Sequence, residues 1–316
     1  MKKALVIVST IGLFATTLVF MTSRYFDFSE TYEVEDIDRG YASSIIYAYP
    51  PEPEWTLNPH AGVENQPEIV GESAILVDIN SGDILYEKNS TQKKEIASLV
   101  KILTSVIALE HKEIDAKFTV SEEAASIGEN SMALEAGEVF SLEQLLYGLI
   151  LNSGNDAAFT IAENVGGGVD TFVLWMNIKA KELNLKDTIV YDPSGLNDFT
   201  RSTAVDLAKL TRYALKNPIL KEIVRTVEIE FPYTEEHKYV YLRNQTNLLS
   251  TYPGVQGVKT GYTEDAGLCL VTYFANQEVE FVGVVLNSTD RKGDMILMLD
   301  HGLSILGLTV EHNLLE

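Results

Sequence analysis

Ala97-Ser98-Leu99-Val100-Lys101-Ile102-Leu103-Thr104-Ser105-Val106-Ile107 is the stretch on which the fold turns. Its apolar run predicts a buried helix from about Ala97 to His111. Ser98 and Lys101 stand at i and i+3, so both side chains lie on one face about a turn apart. A serine hydroxyl is a poor nucleophile until a base takes its proton. A lysine serves as that base when burial or neighbouring cations lower its pKa. A serine at the start of the helix also keeps an unpaired N–H that can bind an oxyanion. A helix cap with a snorkelling lysine would explain the same pair. The spacing recurs in Ser90-Thr91-Gln92-Lys93, but there the run Lys88 to Glu95 is polar and reads as a solvated loop.

Outward from this helix the chain changes character. Ser73 to Asp78 and Ile84 to Lys88 read as strands joined at the turn Asn80-Ser81-Gly82. Ser141-Leu142-Glu143-Gln144 is a capping box that opens a helix to about Leu151. Further helices are predicted over Asp156 to Asn164, over Val169 to Leu183, and from the capping pattern at Thr203 to about Leu215. Strands return at Gly257 to Gly261, Gly267 to Phe274 and Val279 to Leu286, and a last helix spans about Lys292 to Leu306. Strands at both ends with helices between them give an α+β fold, an antiparallel sheet flanked by helices with an inserted helical region.

Two more short motifs can carry chemistry. Ser153-Gly154-Asn155 falls between two predicted helices, where a loop can present a hydroxyl and an amide to a cleft; an ordinary helix–helix turn capped by Asn155 is the alternative. Lys259-Thr260-Gly261 lies on a predicted edge strand. Lys259 and Thr260 there suit a substrate carboxylate, and Gly261 permits close backbone approach. The alternative is an edge lysine that discourages aggregation. The three motifs occur in order, each in a fitting context: helix start, inter-helix loop, late strand.

The whole chain sets limits. Its 24 basic and 46 acidic residues leave a net charge of −22 over 316 residues. Such a surface repels phosphate backbones, so nucleic acid is not an expected partner. The single cysteine, Cys269, lies in an apolar run and reads as a small buried hydrophobe. No ligand spacing appears among the five histidines, so no metal site is expected. Lys2 and Lys3 precede an apolar stretch from Ala4 to Met21, and residues 1–23 are expected to be an uncleaved membrane anchor, with a cleaved signal segment as the alternative. Either way the body is exported. Residues 24–70 hold ten acidic side chains, Pro50, Pro51 and Pro53, and no sustained period; they read as an acidic extracytoplasmic stalk. The globular part is expected to cover 71–316.

With these motifs in view the chain resembles the serine D-alanyl-D-alanine carboxypeptidases, the low-molecular-mass penicillin-binding proteins of peptidase family S11. Ala97 to Thr104 is similar to that family's nucleophile segment, Leu151 to Ala158 to its second motif and Gly257 to Thr263 to its third. Asp192-Pro193-Ser194-Gly195-Leu196 and Ser202 to Ala208 match its connecting segments. The resemblance implies the β-lactamase/penicillin-binding-protein-like transpeptidase fold. It implies Ser98 as nucleophile, Lys101 as its base and Ser153 as proton relay. Asn155 would hold a substrate amide, Lys259 and Thr260 the terminal carboxylate beside Gly261, and the N–H groups of Ser98 and Tyr262 the oxyanion. The implied substrate is a peptidoglycan stem peptide ending in D-Ala-D-Ala, with β-lactams as covalent inhibitors and no cofactor. Two departures stand out. Tyr262 follows Lys-Thr-Gly where some relatives have His; and where some relatives carry a C-terminal β domain and amphipathic anchor, this sequence runs only a little past its last predicted helix, so the N-terminal segment is expected to do the anchoring. A β-lactamase fits less well, because the Glu-x-x-Leu-Asn pattern is missing and Gly154 replaces Asp. A D,D-endopeptidase would share every motif. A non-enzymatic sensor of wall peptides or β-lactams is the reading from a different class; intact Ser98, Lys101 and Ser153 argue against it.

Overall fold

The structure is a computed structural model that describes residues 55–59 and 65–315. Its strands, in chain order, are β1 (Asn58–Pro59), β2 (Ser73–Asp78), β3 (Asp83–Lys88), β4 (Lys94–Glu95), β5 (Lys117–Thr119), β6 (Val139–Ser141), β7 (Arg201–Ser202), β8 (Glu228–Phe231), β9 (Val240–Arg243), β10 (Val255–Thr263), β11 (Gly267–Ala275) and β12 (Glu280–Ser288). The helices are α1 (Lys101–His111), α2 (Glu122–Ala125), α3 (Leu142–Leu151), α4 (Asn155–Gly166), α5 (Val169–Glu182), α6 (Ala204–Ala214), α7 (Pro218–Arg225), α8 (Leu248–Thr251) and α9 (Arg291–Ile305).

One six-stranded sheet organises the body, in the order β1-β3-β2-β12-β11-β10. The pairs from β3 through β10 are all antiparallel, and only β1 joins in parallel. The expected α+β architecture is therefore present. Side chains that alternate along a strand face opposite sides of the sheet. Ile75 and Val77 of β2, Val282, Val284 and Leu286 of β12, and Cys269, Val271 and Tyr273 of β11 point into the larger core, with α1, α3, α4 and α6. Ala74 and Leu76, Phe281 and Val285, and Leu270 and Phe274 point the other way, onto Met295, Met298, Leu299 and Leu303 of α9. Burying each Val, Leu, Ile, Phe or Met among them contributes about 1.5–3 kcal/mol.

Every residue of α1 is buried, so it threads the helical layer rather than coating it. A short 3-10 turn, Ala97–Val100, precedes it where the sequence predicts continuous helix. The predicted capping box at Ser141 and cap at Thr203 both form. Asn155 does not cap the helix that follows the second motif; it is the first residue of α4, and Gly154 holds the cap position without a side-chain bond. Helix α7 and the hairpin β8–β9 lie in a stretch for which the sequence reading offered no elements.

The packed body extends upstream of Gly71. Trp55 and Leu57 pack on the larger core, the Arg212 guanidinium lies 4.8 Å from the Trp55 ring centroid, and Ile69 is buried. The N–H groups of Val70 and Gly71 donate to the Asp294 carboxylate at 2.9 and 2.8 Å. The anchor expected over 1–23 and most of the expected stalk lie outside the described residues. Among the described residues no helix is long and apolar enough to cross a membrane.

Candidate active site

The three motifs converge between the edge strand β10 and the helical layer. Ser98 sits in the 3-10 turn and Lys101 begins α1, so the i,i+3 spacing closes on itself: Lys101 Nζ lies 2.7 Å from Ser98 Oγ. Two other acceptors complete the lysine's shell, Asn155 Oδ1 at 2.8 Å and the Ser194 carbonyl at 2.6 Å. The lysine is fully buried, and burial pushes its pKa down to about 7 against the opposing pull of Asp192, Asp156 and Glu129. The amine is therefore poised to exchange a proton near neutral pH, as base catalysis requires.

Ser153 and Asn155 come from the turn between α3 and α4. Ser153 has φ +59°, a left-handed conformation that costs a non-glycine residue on the order of 1–3 kcal/mol. Its Oγ is buried and, among the described residues, has no hydrogen-bond partner. A strained backbone under an orphaned hydroxyl is what a site holds ready for a ligand, since leaving that group unpaired is itself costly. Asn155 uses one amide end on Lys101 and the other on the Gly128 carbonyl, at 3.1 Å. A second lone pair and a second N–H remain. The turn is fastened by the buried Asp156 carboxylate, which accepts from the N–H groups of Met132, Leu134 and Ala157 and from Ser131 Oγ at 2.6–3.0 Å.

Opposite stands β10 at the sheet edge, as the sequence predicts, but its lysine is not a solvated edge charge. Lys259 is buried, and among the described residues its Nζ has a single partner, the Thr260 carbonyl at 3.0 Å. Burial, then repulsion from Lys101 and Arg291, pulls its pKa well below the ordinary value. A buried amine this short of acceptors would gain most from an incoming anion. Gly261 faces the nucleophile turn: a Cβ there would stand 3.0 Å from the Ile96 carbonyl and 3.3 Å from the Ser98 nitrogen. The close approach at Gly261 is thus made by the chain's own Ile96–Ser98 segment. The backbone N–H groups of Ser98 and of neighbouring Tyr262 are brought to one region, while the Tyr262 side chain is 59% exposed at the rim.

Four contributors were given no role at the site by the sequence. Ser194 reaches Lys101 across 93 positions of sequence. Gly128 and Asn130 pin Asn155, the latter through a 2.7 Å bond from the Asn155 N–H to the Asn130 carbonyl. Arg291, at the start of α9, donates to the carbonyls of Gly261 at 2.7 Å and Cys269 at 3.2 Å, fixing the edge strand from behind. The turn chemistry of Asp192-Pro193-Ser194-Gly195 was a usable signal for the first; no local signal marked the others. Cys269 is buried as expected, and burial raises its thiol to about 11. Ser90 and Lys93 do not meet: Ser90 bonds Glu87, and Lys93 pairs with Asp187 at the surface.

A half-buried serine on a fully buried lysine, facing an orphaned hydroxyl and an anion-seeking amine, has the make-up of a serine acyl-transfer centre. Residues 60–290 match the family model Peptidase_S11, D-alanyl-D-alanine carboxypeptidase, and the chain belongs to that family. It is 35% identical over 241 residues to D-alanyl-D-alanine carboxypeptidase DacF of Bacillus subtilis, matching 73% of this chain and 62% of that protein's length. It is 33% identical over 217 residues to a D-alanyl-D-alanine endopeptidase of Pseudomonas aeruginosa, covering 67% of this chain and 70% of the relative. The D-alanyl-D-alanine carboxypeptidase structure from Mycobacterium tuberculosis superposes with a TM-score of 0.73 at 30% identity, covering 80% of this chain and 98% of that one. The fold is that of the penicillin-binding-protein-like D,D-peptidases.

Proposed function

We propose that this protein is a serine D,D-carboxypeptidase that removes the terminal D-Ala from peptidoglycan stem peptides ending in D-Ala-D-Ala. The observation that carries the reading is the 2.7 Å bond between Ser98 Oγ and a fully buried Lys101 held near neutral pKa. The terminal carboxylate binds Lys259 and Thr260. The N–H groups of Ser98 and Tyr262 receive the scissile carbonyl oxygen, and Asn155 holds the preceding amide. Neutral Lys101 takes the Ser98 proton as Oγ bonds to the carbonyl carbon. The C–N bond then breaks, and the proton passes from Lys101 through Ser153 to the departing D-alanine nitrogen. Water attacks the acyl-enzyme, Lys101 removes its proton and returns it to Ser98 Oγ, and the shortened peptide leaves. β-Lactams would enter the same path and remain as the acyl group.

Cleavage of peptide cross-links is a second reading, favoured by the comparable similarity to the endopeptidase relative. The catalytic body would work outside the cytoplasm, tethered by residues 1–23 and held off the membrane by the acidic stalk. The test is D-alanine release from an N-acylated Lys-D-Ala-D-Ala peptide by the full chain in mild detergent, beside Ser98→Ala. Release that vanishes in the variant is expected. A folded wild type that releases no D-alanine but splits a cross-linked muropeptide dimer would establish the endopeptidase, and one that does neither would overturn both.

A further inference from the structure

Asp192 lies in the segment between α5 and β7, is buried, and forms no ion pair among the described residues. Its charge is met instead by four donors of its own turn. Oδ1 accepts from the N–H of Ser194 at 2.7 Å, the hydroxyl of Ser194 at 2.5 Å and the N–H of Gly195 at 2.8 Å. Oδ2 accepts from the N–H of Asn197 at 2.8 Å. One carboxylate thereby folds residues 192–197 into a closed turn.

That turn touches both members of the serine–lysine pair. The Ser194 carbonyl accepts from Lys101 Nζ, and the Pro193 carbonyl accepts from Thr104 Oγ1 at 2.7 Å further along α1. Gly195, at φ +86°, lies so close to the nucleophile segment that a Cβ there would stand 2.0 Å from the Ala97 carbonyl oxygen and 3.0 Å from the Ser98 nitrogen. The geometry at Lys101 gives this contact a purpose. A neutral amine keeps two N–H bonds and one lone pair. With Asn155 Oδ1 and the Ser194 carbonyl taking the two N–H groups, the tetrahedral nitrogen aims its lone pair at Ser98 Oγ. Remove the Ser194 carbonyl and the amine is free to turn away.

We propose that Asp192 is a positioning residue: by closing the 192–197 turn it holds the Ser194 carbonyl against Lys101 and the Gly195 backbone against the Ser98 turn, so that the lone pair of the base points at the nucleophile. The proposal rests on the reading of Ser98 and Lys101 as nucleophile and base. Asparagine at 192 would present an NH2 group to one set of N–H donors, so the turn would open although the side-chain volume is unchanged.

The test is the rate of acylation by a fluorescent penicillin as a function of pH, with the full chain and Asp192→Asn. Misplacing the pair by about an ångström would slow acylation by about 100-fold. The charged groups that act on Lys101 are Asp192, Asp156 and Glu129, which favour its protonated form, and Lys259, which repels it. Removing the negative charge of Asp192 is therefore expected to move the acid limb of the profile to lower pH. KM for a D-Ala-D-Ala peptide should change little beside kcat, because the carboxylate-binding groups stand on β10. Acylation at the wild-type rate with an unmoved limb would overturn the proposal, as would a slower rate with an unmoved limb and a raised KM. A Lys101→Ala chain that acylates at the wild-type rate would overturn the underlying reading and this proposal with it. Should Asp192→Asn melt below the assay temperature, Ser194→Ala takes its place: it deletes one partner of the carboxylate and keeps the main chain. A several-fold fall in acylation with melting unchanged would support the proposal, and an unchanged rate would overturn it.

Discussion

Two neighbouring stretches carry the same Ser-x-x-Lys spacing and end in opposite environments. In Ser90 to Lys93 the contrast lies at the lysine: Ser90 is buried and bonds Glu87, and the chain then turns out to the surface, where Lys93 reaches Asp187. In Ser98 to Lys101 a 3-10 turn runs into a wholly buried helix, the two side chains close to 2.7 Å, and water is excluded from the amine. Spacing alone proposes a pair. The helical turn brings it together, and burial lowers the lysine's pKa so that the amine is neutral often enough to take a proton, while Asp192, Asp156 and Glu129 oppose that fall.

The comparison breaks most sharply at the nucleophile. Ser98→Ala is expected to lower D-alanine release by about 1,000-fold or more, to the level of the remaining binding groups. Ser90→Ala should keep release within about twofold and cost about 1 kcal/mol of stability for its lost hydrogen bond. Steady-state turnover beside thermal melting reads both.

The two lysines should separate almost as widely. Lys101→Ala is expected to slow acylation by a similar factor, about 1,000-fold. Lys93→Ala removes only an exposed ion pair, worth about 0–1 kcal/mol, and should leave the acylation rate unchanged.

The state of Lys101 sharpens the contrast through pH. The base must be neutral, and its pKa is held at about 7. Acylation should fall by about tenfold for each pH unit below that value and level off above it. A lysine side chain left in water would place the limb near pH ~10. A limb found there would assign the proton to another group.

A smaller effect comes from the backbone that presses on the Ser98 turn. Gly195→Ala adds a Cβ into the Ala97 carbonyl at a positive φ. A loss of about 1–3 kcal/mol is expected from backbone strain alone, read as a lower melting temperature, together with slower acylation.

Much of this was legible in the chain. Short apolar runs in Ser73–Asp78 and in the last two strands, the capping box at Ser141 and the cap at Thr203 are local signals, and the elements follow them. Helix α7 had a readable start as well, since Asn217 caps it and Pro218 opens it; its eight residues are too short for a clear period. The hairpin β8–β9 hid because its strands are joined by a long loop without a tight-turn pair. The residues that orient the pair were the least legible. Asp192 acts through a carbonyl two residues on, and Arg291 through carbonyls of the edge strand. Backbone acceptors carry no residue-type signature; the Asp192-Pro193-Ser194-Gly195 turn was a local mark for one of them, and the assembled fold reveals the others. At Lys259 the sequence allowed both a solvated edge charge and an anion site; its burial among neighbouring cations favours the second.

The most direct test is to trap the acyl-enzyme with benzylpenicillin, quench in acid, digest with trypsin and map the adduct by mass spectrometry. Cleavage after the lysines at 88, 93, 94 and 101 separates the two serines, leaving Ser98 in the peptide 95–101 and Ser90 in the peptide 89–93. The expected result is an adduct confined to 95–101 in the wild type and none in Lys101→Ala, where the site at 101 is lost and Ser98 is read in the longer peptide 95–112. An adduct on 89–93, or none on a folded wild-type chain, would contradict the assignment of Ser98 and Lys101 as the reacting pair.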